Sequence, residues 1–166
     1  MTSTWRIRAA FFVCVTCLVG CDHASKRAAE AALRNRAPVA IVRNIIDLSY
    51  AENRDVAFNA LSRLSLQVPA WALTAFTVIA TLAVLIAWMH RRPARWPEQV
   101  GFALVLAGAI GNGLDRLVSG HVVDFIHVHF WPVFNVADVF IVAGVALLFF
   151  RRAQTATAAR TPGPAG

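Results

Sequence analysis

The sequence predicts an all-α membrane bundle of four transmembrane helices, with a small β-like cap on one side and an interfacial amphipathic helix. Three observations predict it. The composition is 58% hydrophobic and 15% charged over 166 residues, which leaves too few polar groups to clothe a water-soluble globule of this size. The stretch VPAWALTAFTVIATLAVLIAWM at 68–89 carries no charge and, as a helix, is long enough for roughly 30 Å of hydrocarbon. Arginines cluster beside the apolar stretches, at 6 and 8, at 91, 92 and 95, and at 151 and 152, as they do in the loops of membrane proteins.

The first expected span covers residues 5–24. Its apolar core from Ala9 to Val19 is short and ends in small residues before Cys21, so it also has the layout of a secretory signal. Residues 18–21, LVGC, resemble a lipobox, the site where bacterial lipoprotein precursors are lipidated and cut. On that reading residues 1–20 would be discarded.

Residues 25–67 form the cap. They begin with KRAAEAALRNRAP, whose alanine-rich helix propensity stops at Pro38, a helix suited to the bilayer surface. VAIVRNIIDLSYAENRDVAF then brings β-branched residues and a partial alternation around Ile46, Leu48 and Tyr50, which predicts short strands. The second span is 68–89. The third, 98–116, is rich in glycine, at 101, 108, 111 and 113. The fourth, 133–151, is apolar except for Asn135 and Asp138. Residues 1–152 are read as one polytopic membrane domain. Residues 153–166 are small, polar and proline-containing, a disordered cytoplasmic tail.

The three arginine clusters fit the cytoplasmic side. The 25–67 connection is also rich in Arg, so the rule is met only in part. The formal net charge of +7 follows mainly from these flanks and reads as topology and headgroup contact, with no nucleic-acid binding.

On this topology the polar residues gather at one depth. Asp22 and Lys26 end the first span, Asn53 lies in the cap, and Asn112, Asp115 and Arg116 end the third span. Asp124 follows in an outer loop, and Asn135 and Asp138 occupy the first turns of the fourth. A carboxylate in an apolar helix costs about 3 kcal/mol on insertion scales and usually faces a partner or cavity. Spacings of three and four put Asn135 with Asp138 on one face, and Asn112 with Asp115 and Arg116 on another. Two carboxylates held close do not both ionise easily, so one keeps a proton while the other stays charged. That asymmetry supplies an acid and a base for water attack on a peptide bond, with no metal or cofactor.

These motifs carry a resemblance. DHASK at 22–26, GAIGNGLDRLVSGHVVDFI at 108–126 and FNVADVFI at 134–141 are similar to those of bacterial lipoprotein signal peptidases. The likeness extends up to about Arg152. It implies a four-helix aspartic protease of the bacterial inner membrane that cuts diacylglyceryl-modified prolipoproteins just before the lipidated cysteine. Both termini would be cytoplasmic and the cap and active site periplasmic. The partners it implies are prolipoprotein substrates and membrane lipids, with the enzyme itself a monomer. Asp124 and Asp138 match the catalytic pair. Asn112, Arg116 and Asn135 match residues lining the site, Asn53 aligns with the cap motif, and Asp22, Lys26 and Asp115 match supporting positions. Two departures stand out: His23 where the family usually has Gln, and Asp55 in NRDVAF (53–58) where it commonly has Gly. The DHASK match favours a first segment that stays attached, with LVGC as the outer end of a helix.

Three other readings are weaker. Cys14, Cys17 and Cys21 form a helical stripe read as small apolar residues. His127 and His129 in IHVHF project the same way from an extended segment, but a zinc pair there lacks further ligands. They are read as polar loop residues near headgroups, and no metal is expected. The alternative function is a small proton-coupled transporter or channel subunit in which Asp138 relays protons.

Overall fold

In the computed structural model, which describes residues 2–54, 69–90 and 96–158, the chain runs α1 (Thr2–Leu33), β1 (Val39–Val42), β2 (Ile46–Asn53), α2 (Ala70–Met89), α3 (Trp96–Ser119), β3 (Val122–Val128) and α4 (Val136–Ala158). Among the described residues, Trp5–Leu33, Trp71–Met89 and Trp96–Ser119 are long and apolar enough to cross a membrane. Helix α4 is not one of them. Asp138 in its first turn and Arg151 bound its apolar run of Val139–Phe150.

Helix α4 nevertheless lies along α3. A Cβ on Gly108 would strike the Ala137 carbonyl, and one on Gly144 would lie 2.7 Å from the Gly101 carbonyl oxygen. Small residues let two backbones approach this closely where no hydrophobic force draws helices together. Phe11 and Val15 of α1 are buried with Trp88 of α2 and Phe102 and Leu106 of α3, and Phe11 stacks on Trp88 at 4.0 Å between centroids. The Trp88 indole N–H donates to Gln99 Oε1 at 2.7 Å, which satisfies both buried polar groups. Trp71, Phe76, Ile79, Val142, Val145 and Phe149 point outward and exposed, the pattern of helices solvated by lipid.

The cap corrects two expectations. Residues 25–33 form no separate interfacial helix: they continue α1, which runs unbroken for 32 residues. Its last turns bury Ala29 and Leu33 against Phe125 of β3, so packing on the cap sheet extends the helix. It ends at Leu33, two residues before Asn35, whose φ of 60° is the left-handed conformation common after a helix C-terminus. The second correction concerns 122–128. This segment is not a loop but a strand, completing an antiparallel sheet ordered β1-β2-β3. Asn44, also at φ 60°, turns β1 into β2, and Ala51 and Asn53 of β2 pair with Asp124 and Val122 of β3.

Candidate active site

Five elements, α1, β2, α3, β3 and α4, bring the polar residues together. Helix α4 begins with a reciprocal cap: the Asn135 side-chain oxygen accepts from the Asp138 N–H at 3.1 Å, while the Asp138 carboxylate accepts from the Asn135 N–H at 3.2 Å. This arrangement satisfies two orphan donors at a helix start and fixes the direction of the Asp138 carboxylate. The side-chain amide of Asn112, on α3, donates to Asp138 Oδ1 at 2.8 Å.

Asp124 comes to the same place from β3. The register that opposes Ala51 to Asp124 lets Asn53 Nδ2 donate to Asp124 Oδ2 at 2.8 Å. Asn135 Nδ2 donates to Asp124 Oδ1 at 2.6 Å. Asn135, fully buried, therefore touches both acids, Asp124 through its side chain and Asp138 through its backbone. Burial pushes the Asp124 carboxyl up to about 6 and the charge of Asp138 adds to this, against the pull of the bonds from Asn53 and Asn135. A cavity of about 100 Å³ is lined by Asp124, Asp138, Asn53, Asn112, Arg116 and Asn135, with room for water.

Behind the cavity is a buried ionic group. Lys26 of α1, only 4% exposed, lies 2.7 Å from Asp22 Oδ2 and 2.7 Å from Asp115 Oδ2. It also donates to Asn112 Oδ1 at 2.9 Å, an oxygen that receives a second bond from Asn135 at 3.2 Å. Two donors on that oxygen orient the Asn112 amide toward Asp138. Asp22 Oδ1 in turn accepts from the Ala137 N–H at 2.9 Å, so a carboxylate of α1 caps the N-terminus of α4. Charge-assisted bonds at a helix start are favourable. Gly111 makes room, since a Cβ there would stand 2.6 Å from Asp22 Oδ2.

Arg116 lines the cavity and donates to the Asn112 carbonyl at 3.3 Å. It also borders a groove of about 590 Å³ between α2 and α3, walled by Trp71, Leu73, Val78, Ile79 and Leu117. The polar cavity and the apolar groove thus share one residue.

All nine residues singled out from the sequence lie in this assembly. His23 stands 3.5 Å from Asp115 Oδ1 and 3.8 Å from Asp22 Oδ2, beside the ionic group. Within NRDVAF, Asn53 and Arg54 are described; Asp55, Ala57 and Phe58 lie outside the described residues. Cys14, Cys17 and Cys21 are exposed and unbonded to one another. Sequence reasoning missed the capping of α4 by Asp22 and the double contact of Asn135. It also missed β3, although the β-branched, alternating VVDFIHV carried a strand signal.

Comparison with known proteins bears on the family and the fold. A family model for signal peptidase (SPase) II matches residues 14–153. A lipoprotein signal peptidase of Syntrophotalea carbinolica is 37% identical over 139 residues, spanning 80% of this chain and 84% of that protein. One of Xanthomonas campestris pv. campestris (strain 8004) is 39% identical over 134 residues, 76% of this chain and 78% of its own. The fold is shared with a bacterial membrane enzyme solved by the in meso method at 2.3 Å, with a TM-score of 0.78 at 21% identity over 95% of both chains. A second such structure, at 1.9 Å, gives a TM-score of 0.74 at 23% identity over 86% of this chain and 92% of its own. With the match running from within α1 to within α4, the chain belongs to the signal peptidase II family.

Proposed function

We propose that this protein is an aspartic endopeptidase that cuts diacylglyceryl-modified prolipoproteins just before the lipidated cysteine, with Asp124 and Asp138 as its catalytic pair. Its family membership makes it a multi-pass bacterial membrane protease that removes prolipoprotein signal peptides. The observation that carries the aspartic assignment is the convergence of the two carboxylates on one water-sized cavity, each held by Asn135.

The pair shares one proton. The charged carboxylate takes a proton from water as its oxygen attacks the scissile carbonyl, and the protonated carboxyl donates to the carbonyl oxygen. A proton then passes to the departing amide nitrogen as the C–N bond breaks. Asn53 and Asn112 hold the acids, and Arg116 stands where the peptide passes from groove to cavity. The apolar groove suits the acyl chains or the signal helix, and Asp22, Lys26 and Asp115 support the site from behind. Helix α4, laid along α3, is the fourth span. Both termini then face the cytoplasm and the cap faces the periplasm. The first segment stays attached, since cleavage before Cys21 would strip Phe11 and Val15 from the core.

The transporter reading has little to stand on. The buried Asp22, Lys26 and Asp124 and the half-buried Asp138 lie at one end of the bundle, and α2 carries no ionisable residue along its length.

The test is cleavage of a diacylglyceryl-modified lipobox peptide by the purified protein, beside the same peptide without lipid. Asp124→Asn and Asp138→Asn should each lower the rate by roughly 10²–10⁴-fold or more while the protein stays folded. Near-normal cleavage by either variant refutes the pair. Equal cutting of the unlipidated peptide refutes the lipid requirement.

A further inference from the structure

Toward the end of the β2–β3 ladder away from Asp124, the cap sheet gathers a second constellation. Asp47 of β2 stands directly opposite His127 of β3. His129, the first residue of the turn that follows β3, stacks its ring beside that of His127. One donor atom from each of Asp47, His127 and His129 lies within 4.8 Å of the other two. The carboxylate already meets His129, with Asp47 Oδ2 2.6 Å from Nε2, and the two imidazoles lie nearly parallel, 29° apart with centroids at 5.2 Å. The group is partly open to solvent, His129 being 42% exposed and Asp47 17%.

An ion pair explains only part of this. It accounts for Asp47 with His129, but a second imidazole beside the same carboxylate adds nothing to that pair. Two imidazoles and a carboxylate converging from adjacent strands are instead the donor set that divalent transition ions prefer, zinc among them. In a tetrahedral zinc site the donors sit about 3.4 Å apart, given metal–ligand distances of about 2.0–2.1 Å. Side-chain rotation would widen the 2.6 Å Asp47–His129 contact and draw in the donors now up to 4.8 Å apart toward that value. We propose that Asp47, His127 and His129 form a three-ligand, solvent-facing site for a zinc-class divalent ion, with water completing its coordination. The ion would tie β2 to β3 near one end of the ladder, which pairs Ala51 with Asp124 further along and ends at Asn53 and Val122. Its role is to brace the cap; the peptide chemistry does not use it.

The experiment uses tag-free, full-length protein stripped with a chelator. Zn²⁺ is titrated in competition with a chromogenic chelator, and cobalt-loaded wild type is read by X-ray absorption. The expected result is one equivalent bound, weakened at least about tenfold by His127→Ala and by His129→Ala. The absorption shell should contain two imidazole nitrogens. Zinc should also raise the unfolding temperature of wild type but not of the variants, because it binds the folded state. Absence of competition, or unchanged affinity in both variants, overturns the site. Should a variant fail to fold, the absorption spectrum of wild type decides alone, and a shell without two histidines overturns the proposal.

Discussion

Replacing Lys26 by Met tests the ionic group behind the catalytic cavity. Lys26 is 4% exposed and holds two carboxylates, Asp22 and Asp115, each at 2.7 Å. Methionine keeps the length of the stem but removes the charge, leaving two acids facing each other around an empty position. Removing one partner of a buried ion pair costs about 3–5 kcal/mol, because a charge is left uncompensated. For a chain of this length that corresponds to a fall in unfolding temperature of about 6–20 °C. Asn112 loses a donor to its Oδ1 at the same time, so its hold on Asp138 loosens and cleavage should fall as well. The measurement is thermal unfolding in detergent, with lipopeptide cleavage read on the same preparation. Adding Asp22→Asn and Asp115→Asn to the Met variant should restore most of the lost stability, since no uncompensated charge then remains. The reasoning fails if the single variant melts within a degree or two of wild type, or if the triple variant is less stable than the single one.

Three further outcomes are expected. Because the folded Asp124 carboxyl is raised from 3.8 to about 6, its ionisation opposes folding. Its favourable contribution is complete below about pH 4 and lost as pH rises through 6. The stability of Asp124→Asn relative to wild type should therefore climb by up to about 3 kcal/mol across that window and level off above it, as denaturation at stepped pH would show; a flat difference contradicts the raised value. Gly108→Ala, which drives a Cβ into the Ala137 carbonyl, should destabilise by about 1–3 kcal/mol, whereas Gly113→Ala, whose Cβ meets among the described residues Thr77 Cγ2 at 3.4 Å, should be tolerated; equal melting of the two refutes the close approach. Intact mass of the purified protein should include residues 1–20, and a lipidated start at Cys21 would contradict retention of the first segment.

Much of this architecture is legible in the chain because lipid leaves little choice. An uncharged stretch such as 68–89 has one stable form in hydrocarbon, and polar residues beside apolar helices must find partners. That is why Asn112, Asp124, Asn135 and Asp138 could be named together before any geometry was known. The cap was less legible. Whether residues 25–33 lie on the bilayer or extend α1 depends on Phe125, nearly a hundred positions away, and local propensity is silent about that. The strand character of 122–128 was written in its alternation, yet its partner β2 lies far upstream, and the register that sets Asn53 against Asp124 is a long-range pairing. Asp22 capping Ala137 is of the same kind, since nothing near Asp22 in the chain points to α4.

That cap also bears on the order in which the protein is made. The ligand for the last helix is carried by the first, which enters the membrane well before α4 is synthesised. During that interval Asp22 and Lys26, one helical turn apart, neutralise each other within α1 and lower the cost of holding charge near hydrocarbon. When α4 arrives, the free lobe of Asp22 takes the Ala137 N–H, and only then are the two halves of the site brought together. A nascent or truncated chain would thus be a silent protease, and competence to cut would arise as the final step of assembly.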